Sequence, residues 1–177
     1  MDDDHIRIRP MTLADCDRVA EIRVDGWQSA YQGLIPQSYL DAMDVAQDAD
    51  RRRAHFAQAD GSVVNLVAET AGEVAGWACH GPYRDGEVRT ADAELYAIYV
   101  DPGRYGAGVG HALLQESLRH CTAAGHARML LWVLKDNARA RGFYERAGFL
   151  PDGTEEPFEV DGVGVPEVRY ARDLPVA

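Results

Sequence analysis

Glu94-Leu95-Tyr96-Ala97-Ile98-Tyr99-Val100-Asp101-Pro102-Gly103-Arg104-Tyr105-Gly106-Ala107-Gly108-Val109-Gly110 runs from an apolar, β-prone stretch through a turn into three alternating glycines. Residues 93–100 read as a strand, ended sharply by Asp101-Pro102-Gly103. Beyond the loop, Val109, Leu113, Leu114, Leu118 and Cys121 recur at helical spacing, and Gly125 is placed to stop that helix. A helix N-terminus presents unpaired backbone N–H groups and the positive end of its dipole. Glycines at 106, 108 and 110 remove the Cβ atoms that would hold a phosphate away from those groups, so the unit reads as a pyrophosphate cradle. It is not a Walker loop, because His111 and Ala112 stand where a lysine and a Ser/Thr are needed. The glycine spacing also differs from the dinucleotide fingerprint GxGxxG.

Working outward, residues 6–9 alternate as a strand before Pro10, and Thr12 with Asp15 can cap a helix striped by Val19, Ile22, Val24 and Trp27. A short helix over 37–43 follows Pro36, and 48–58 reads as a polar, exposed helix. Residues 63–68 and 74–79 form a hairpin around Ala71-Gly72, whereas 83–92 is polar and reads as a loop. Downstream come a strand over 129–134, a helix over 137–146, and a closing pair of strands from Phe149 and over 167–173. With no repeat or dividing linker, residues 1–177 read as one α/β domain with a mixed sheet. A chain of this length buries about 70% of its unfolded surface and needs no disulfide or metal staple.

The net charge of −11, which no run of lysines or arginines compensates, makes nucleic acid and anionic membrane poor partners and suits a cationic acceptor. Cys16, Cys79 and Cys121 are scattered and odd in number, as in a reducing compartment. The acidic start at residues 1–4 is unlike a signal peptide, and no apolar run is long enough to span a bilayer, so a cytoplasmic location is expected.

A second motif stands downstream: Asn137-Ala138-Arg139-Ala140-Arg141-Gly142-Phe143-Tyr144-Glu145-Arg146-Ala147-Gly148-Phe149. Asn137 can cap the helix, Ala140 leaves room for a ligand chain, and Phe143 and Tyr144, as neighbours, are expected to point to different faces. Together with the glycine loop, this resembles the GNAT superfamily of acyl-CoA-dependent N-acyltransferases, most closely over 93–149. The resemblance implies a three-layer α-β-α sandwich whose central mixed sheet is splayed between two strands to admit the pantetheine arm of acetyl-CoA. It further implies pantetheine contacts from the backbone of Ile98, Tyr99 and Val100, and a diphosphate cradle at Tyr105, Gly106, Ala107, Gly108, Val109 and Gly110. Asn137 and Ala140 would line the arm, and Tyr144 would lie near the sulfur. Tyr105 departs from the Arg or Gln usual in the family, which leaves Arg104, Arg139 and Arg141 as candidates for the phosphates.

Tyrosine, with a reference pKa of about 10, is protonated at neutral pH and can protonate a departing thiolate, so Tyr144 is the candidate acid. Glu94 matches a position where some family members carry a base. An amine and a free glutamate differ by about 6 pKa units, roughly 8 kcal/mol, whereas release of the proton to water at pH 7 costs roughly 5 kcal/mol. Glu94 is therefore expected to act through water or with a pKa raised by burial. Trp27 and Tyr31, four residues apart, are candidates for the acceptor groove. His80, His111, His120 and His126 form no metal-ligand pattern, so no metal is expected. The function read is acetyl transfer to an amine of a small molecule or peptide. The alternatives are a non-catalytic acyl-CoA sensor of the same fold and a nucleotide-binding protein. The resemblance allows a homodimer, and nothing in the sequence requires one.

Overall fold

Seven strands form one sheet: β1 (Arg7–Pro10), β2 (Val64–Thr70), β3 (Glu73–Asp85), β4 (Val88–Val100), β5 (Arg128–Leu134), β6 (Leu150–Val160) and β7 (Val163–Asp173). The computed structural model describes residues 5–176, so the acidic start at 1–4 lies outside the described residues. The spatial order is β1-β2-β3-β4-β5-β7-β6, antiparallel throughout except for the parallel pair β4/β5. That pair holds only at Ala93 with Met129 and Glu94 with Leu130. Beyond it β4 stays with β3 and β5 stays with β7, so the sheet opens into the expected splay.

Helices α1 (Cys16–Ala30), α2 (Gln37–Ala42) and α3 (Val45–Ala57) cover one face, and α4 (Val109–Ala123) and α5 (Ala138–Arg146) cover the other. The expected stripe of α1 is buried: Val19, Ile22, Val24 and Trp27 all sit inside. Two expectations are corrected. Helix α3 is not simply exposed, because Asp48 is buried where it accepts from Arg23 of α1 at 2.8 Å and pairs with Arg52 at 3.4 Å. The stretch 83–92 is not a loop but the end of the β3/β4 hairpin, turning at Gly86 with φ +62°. The hairpin tip is charged and mostly exposed, so it lacks the one-sided apolar alternation that marks a half-buried strand.

The face each β4 side chain meets is set by a bulge. Cys79 pairs with Ala97 but His80 pairs with Leu95, so Tyr96 is the extra residue. Ala93 and Leu95 pack under α4 and α5, while Tyr96, Ala97 and Tyr99 pack toward α1 and Ile98 returns to the α4 side. Glu94, between Ala93 and Leu95, therefore projects on the α1 face.

Candidate active site

Helix α4 begins without a side-chain cap. Its N-cap is Gly108, at φ +85°, following Gly106 at φ +80°, and both conformations favour glycine. By contrast α5 is capped by Asn137, whose Oδ1 accepts from the Ala140 N–H at 3.2 Å. The first amides of α4 are thus left free for an anion. They open onto a cavity of about 720 Å³ that runs into the β4/β5 gap.

The cavity gathers almost every residue singled out from the sequence. Ile98, Tyr99, Val100, Arg104, Tyr105, Gly106, Gly108, Val109, Gly110, Asn137, Ala140 and Tyr144 line it, as do Glu94, Trp27 and Tyr31. Ala107 is exposed and does not line it. Arg139 lines it with its guanidinium 4.2 Å from the centre of the Tyr105 ring, within cation–π range. Arg141 is corrected as a phosphate candidate: it donates to the Tyr170 hydroxyl and the Lys135 carbonyl, each at 2.8 Å, and so fastens α5 to β7 and to the turn that follows β5. Phe143 and Tyr144 do not part to different faces; both line the cavity, with ring centres 5.3 Å apart.

The Tyr144 hydroxyl makes no hydrogen bond among the described residues, and burial holds its pKa well above the ordinary tyrosine range. Tyr99 accepts from the Trp27 indole N–H at 2.8 Å, tying β4 to α1 across the cavity. Tyr31 lies beside Tyr99 and within charge range of Tyr144 and Glu167, and its hydroxyl is likewise pushed up by burial. The Glu94 carboxyl is raised to about 7, chiefly by burial, against a backbone hydrogen bond and the charge of Arg84.

Glu167 was not found from the sequence. It lines the same cavity, and burial together with Glu156 raises it to about 7. Val168 and Tyr170 pack on the α4 side, and Val165 packs on the α1 side, so Glu167 joins Glu94 on the α1 face. None of the three cysteines lines the cavity; all are buried, and burial raises Cys79 to about 12 and Cys121 to about 11. Among the described residues no group of three or more His, Cys, Asp or Glu is placed to hold a metal, and no helix is long and apolar enough to cross a membrane.

The family model described as Acetyltransferase (GNAT) family matches residues 23–149. The chain belongs to the GNAT acetyltransferase family. It is 30% identical over 164 residues to the uncharacterized N-acetyltransferase YuaI of Bacillus subtilis, covering 92% of this chain and 90% of that one. It is 36% identical over 144 residues to the mycothiol acetyltransferase of Amycolatopsis mediterranei, covering 78% of this chain and 44% of that protein. The PaiA N-acetyltransferase of Thermoplasma acidophilum, solved with coenzyme A, shares the GNAT fold at a TM-score of 0.76 and 19% identity, over 96% of this chain and 99% of that one. The mixed, splayed three-layer sandwich is therefore the GNAT fold.

Proposed function

We propose that the protein transfers the acetyl group of acetyl-CoA to a primary amine of a small molecule or peptide, by direct attack within one ternary complex. The observation that carries this is the β4/β5 gap, which joins the uncapped N-terminus of α4 to Tyr144 and Glu94 in one cavity. The residues fit the substrate part by part. The free amides at the start of α4, from Gly108 to Gly110, suit a diphosphate, with Arg139, steadied on Tyr105, adding charge. The edge of β4 past Glu94 has no strand partner on the β5 side, so its backbone groups can pair with the amides of the pantetheine arm as a neighbouring strand would. The coenzyme A in the Thermoplasma relative supports the same choice.

Acetyl-CoA supplies an acetyl group already activated as a thioester. Tyr144 stays protonated at neutral pH and, being unpartnered, can donate to the departing sulfur. Glu94, raised to about 7, is ionised in a substantial fraction at neutral pH and can accept the amine's proton directly or through water. Its gap to an aliphatic amine shrinks to about 3.4 units, roughly 5 kcal/mol, comparable with release to water at pH 7. Trp27 and Tyr31 wall the acceptor side. The buried cysteines favour direct transfer over an acyl-cysteine enzyme, and as free thiols they accord with a cytoplasmic location.

The test is a thermal-shift titration with acetyl-CoA, followed by coenzyme A release against an amine panel. Saturation at about 100 times Kd stabilises by about 2.7 kcal/mol, a Tm rise of roughly 5 to 10 °C. Tyr144→Phe should keep that shift while kcat falls by about 100-fold or more. Binding without amine-dependent release would make the protein a non-catalytic acyl-CoA sensor, and no shift at millimolar acetyl-CoA would remove the reading altogether.

A further inference from the structure

The fold supplies an arginine to nearly every carboxylate it withdraws from water. Among described acids that are not surface-exposed, Asp15 and Glu69 pair with Arg9, Asp48 with Arg23, Asp92 with Arg128, Asp101 with Arg18 and Glu116 with Arg119. Two such acids form no ion pair among the described residues, Glu94 and Glu167, and both line the one cavity. A withdrawn carboxylate without an ion-pair partner is costly, and the protein meets that cost only in part, through the more distant charge of Arg84 on Glu94 and by holding both groups partly protonated. The unmet demand is for positive charge brought by a ligand.

The surroundings narrow what that ligand is. Glu94 and Glu167 arise from strands on opposite sides of the splay, project on the same α1 face, and are near enough for the charge of Glu167 to act on Glu94. The same cavity has aromatic walls from Trp27, Tyr31 and Phe158, whose rings contact one another and suit the methylene chain and the charged heads of an alkyl cation. Tyr31 is within charge range of both Glu167 and the unpartnered Tyr144, which links this half of the cavity to the reacting end.

We infer that the acceptor is a dicationic primary amine, with Glu94 facing the amino group that is acetylated and Glu167 fixing the acceptor by a second cationic group. This rests on the acetyltransferase reading and deepens it: Glu167 is a specificity-determining residue that holds the end of the acceptor that does not react. A monoamine leaves Glu167 buried without a partner, whereas a second cation completes the ion pair.

The experiment compares short linear diamines with monoamines of equal chain length, at fixed acetyl-CoA, in the wild type and in Glu167→Gln. The wild type should favour the diamine by about tenfold or more in kcat/KM. In Glu167→Gln the diamine KM should rise with a much smaller change in kcat, so that the two acceptors converge, while the acetyl-CoA thermal shift confirms a folded cofactor half. A purely structural role for Glu167 would lower both acceptors alike and leave their ratio unchanged. Equal wild-type kcat/KM for the two classes overturns the inference and leaves the acetyltransferase reading standing. Acetyl-CoA binding with no acetylation of either class overturns both.

Discussion

Glu94 and Glu167 carry the same functional group at nearly the same raised pKa, yet only one was visible in the sequence. Glu94 lies in the strand that runs into the glycine loop, at a position where the family resemblance implies a base. Glu167 sits in Val165-Pro166-Glu167-Val168, where an acid within a strand reads as solvent-facing; only its pairing opposite Leu134 brings it to the cavity. Phe143 and Tyr144 failed in the opposite direction, since neighbouring side chains on a helix can still line one broad cavity. For Glu94 the working state is the carboxylate, so activity should rise with pH as the group titrates. The wild-type kcat/KM profile should show an acidic limb with a midpoint near 7, where burial has put the carboxyl. With a monoamine acceptor, which makes no ion pair with the similarly titrating Glu167, Glu94→Gln should lower kcat/KM by about 100-fold and abolish that limb. A limb that survives the substitution would assign the titration to another group and remove Glu94 as the base.

Between elements, the site depends on how closely α4 lies on the sheet. A Cβ at Gly76 of β3 would come within 2.9 Å of side-chain atoms of Val109 and Leu113 and 3.2 Å of the Tyr99 carbonyl oxygen. Glycine there lets the first turns of α4, and with them the free amides, sit against β3 and β4. Gly76→Ala should push that end of α4 outward, cost about 1–3 kcal/mol in denaturant unfolding, and raise the KM for acetyl-CoA several-fold with a smaller change in kcat. Unchanged stability and KM together would mean that α4 does not need so close a seat. Most elements were legible because their apolar positions recur with the period of a helix or strand. The splay was not legible from that pattern, because the β4 and β5 runs stay apolar past residues 94 and 130, whether facing a strand or a cavity. It was expected only through the family resemblance. Nor was the bulge at Tyr96 visible, since an inserted residue changes which face later side chains meet without changing the composition of the run.

For the molecule as a whole, the unpaired acids in the cavity set a slope of stability against pH. Glu94 and Glu167 have native values near 7 against an ordinary 4.5, so between those limits the folded protein holds protons that the unfolded chain has released. Stability from these groups is complete below pH 4.5 and is lost as pH rises through 7. Buried His80 acts in the opposite sense: burial lowers it from 6.5 to about 4, so its contribution is present above 6.5 and lost as pH falls toward 4. The two effects overlap between 4.5 and 6.5, and a wild-type curve alone would blur them. The double substitution Glu94→Gln with Glu167→Gln separates them, because it removes the carboxyl titrations and leaves His80 in place. Measured without ligand, the Tm of the double variant minus that of the wild type should be near zero at pH 4.5 and climb by roughly 10 °C or more toward pH 8. A difference that is constant across the range would mean that the carboxyls titrate alike in the folded and unfolded chain, and the cavity would then hold no unmet demand for a cation.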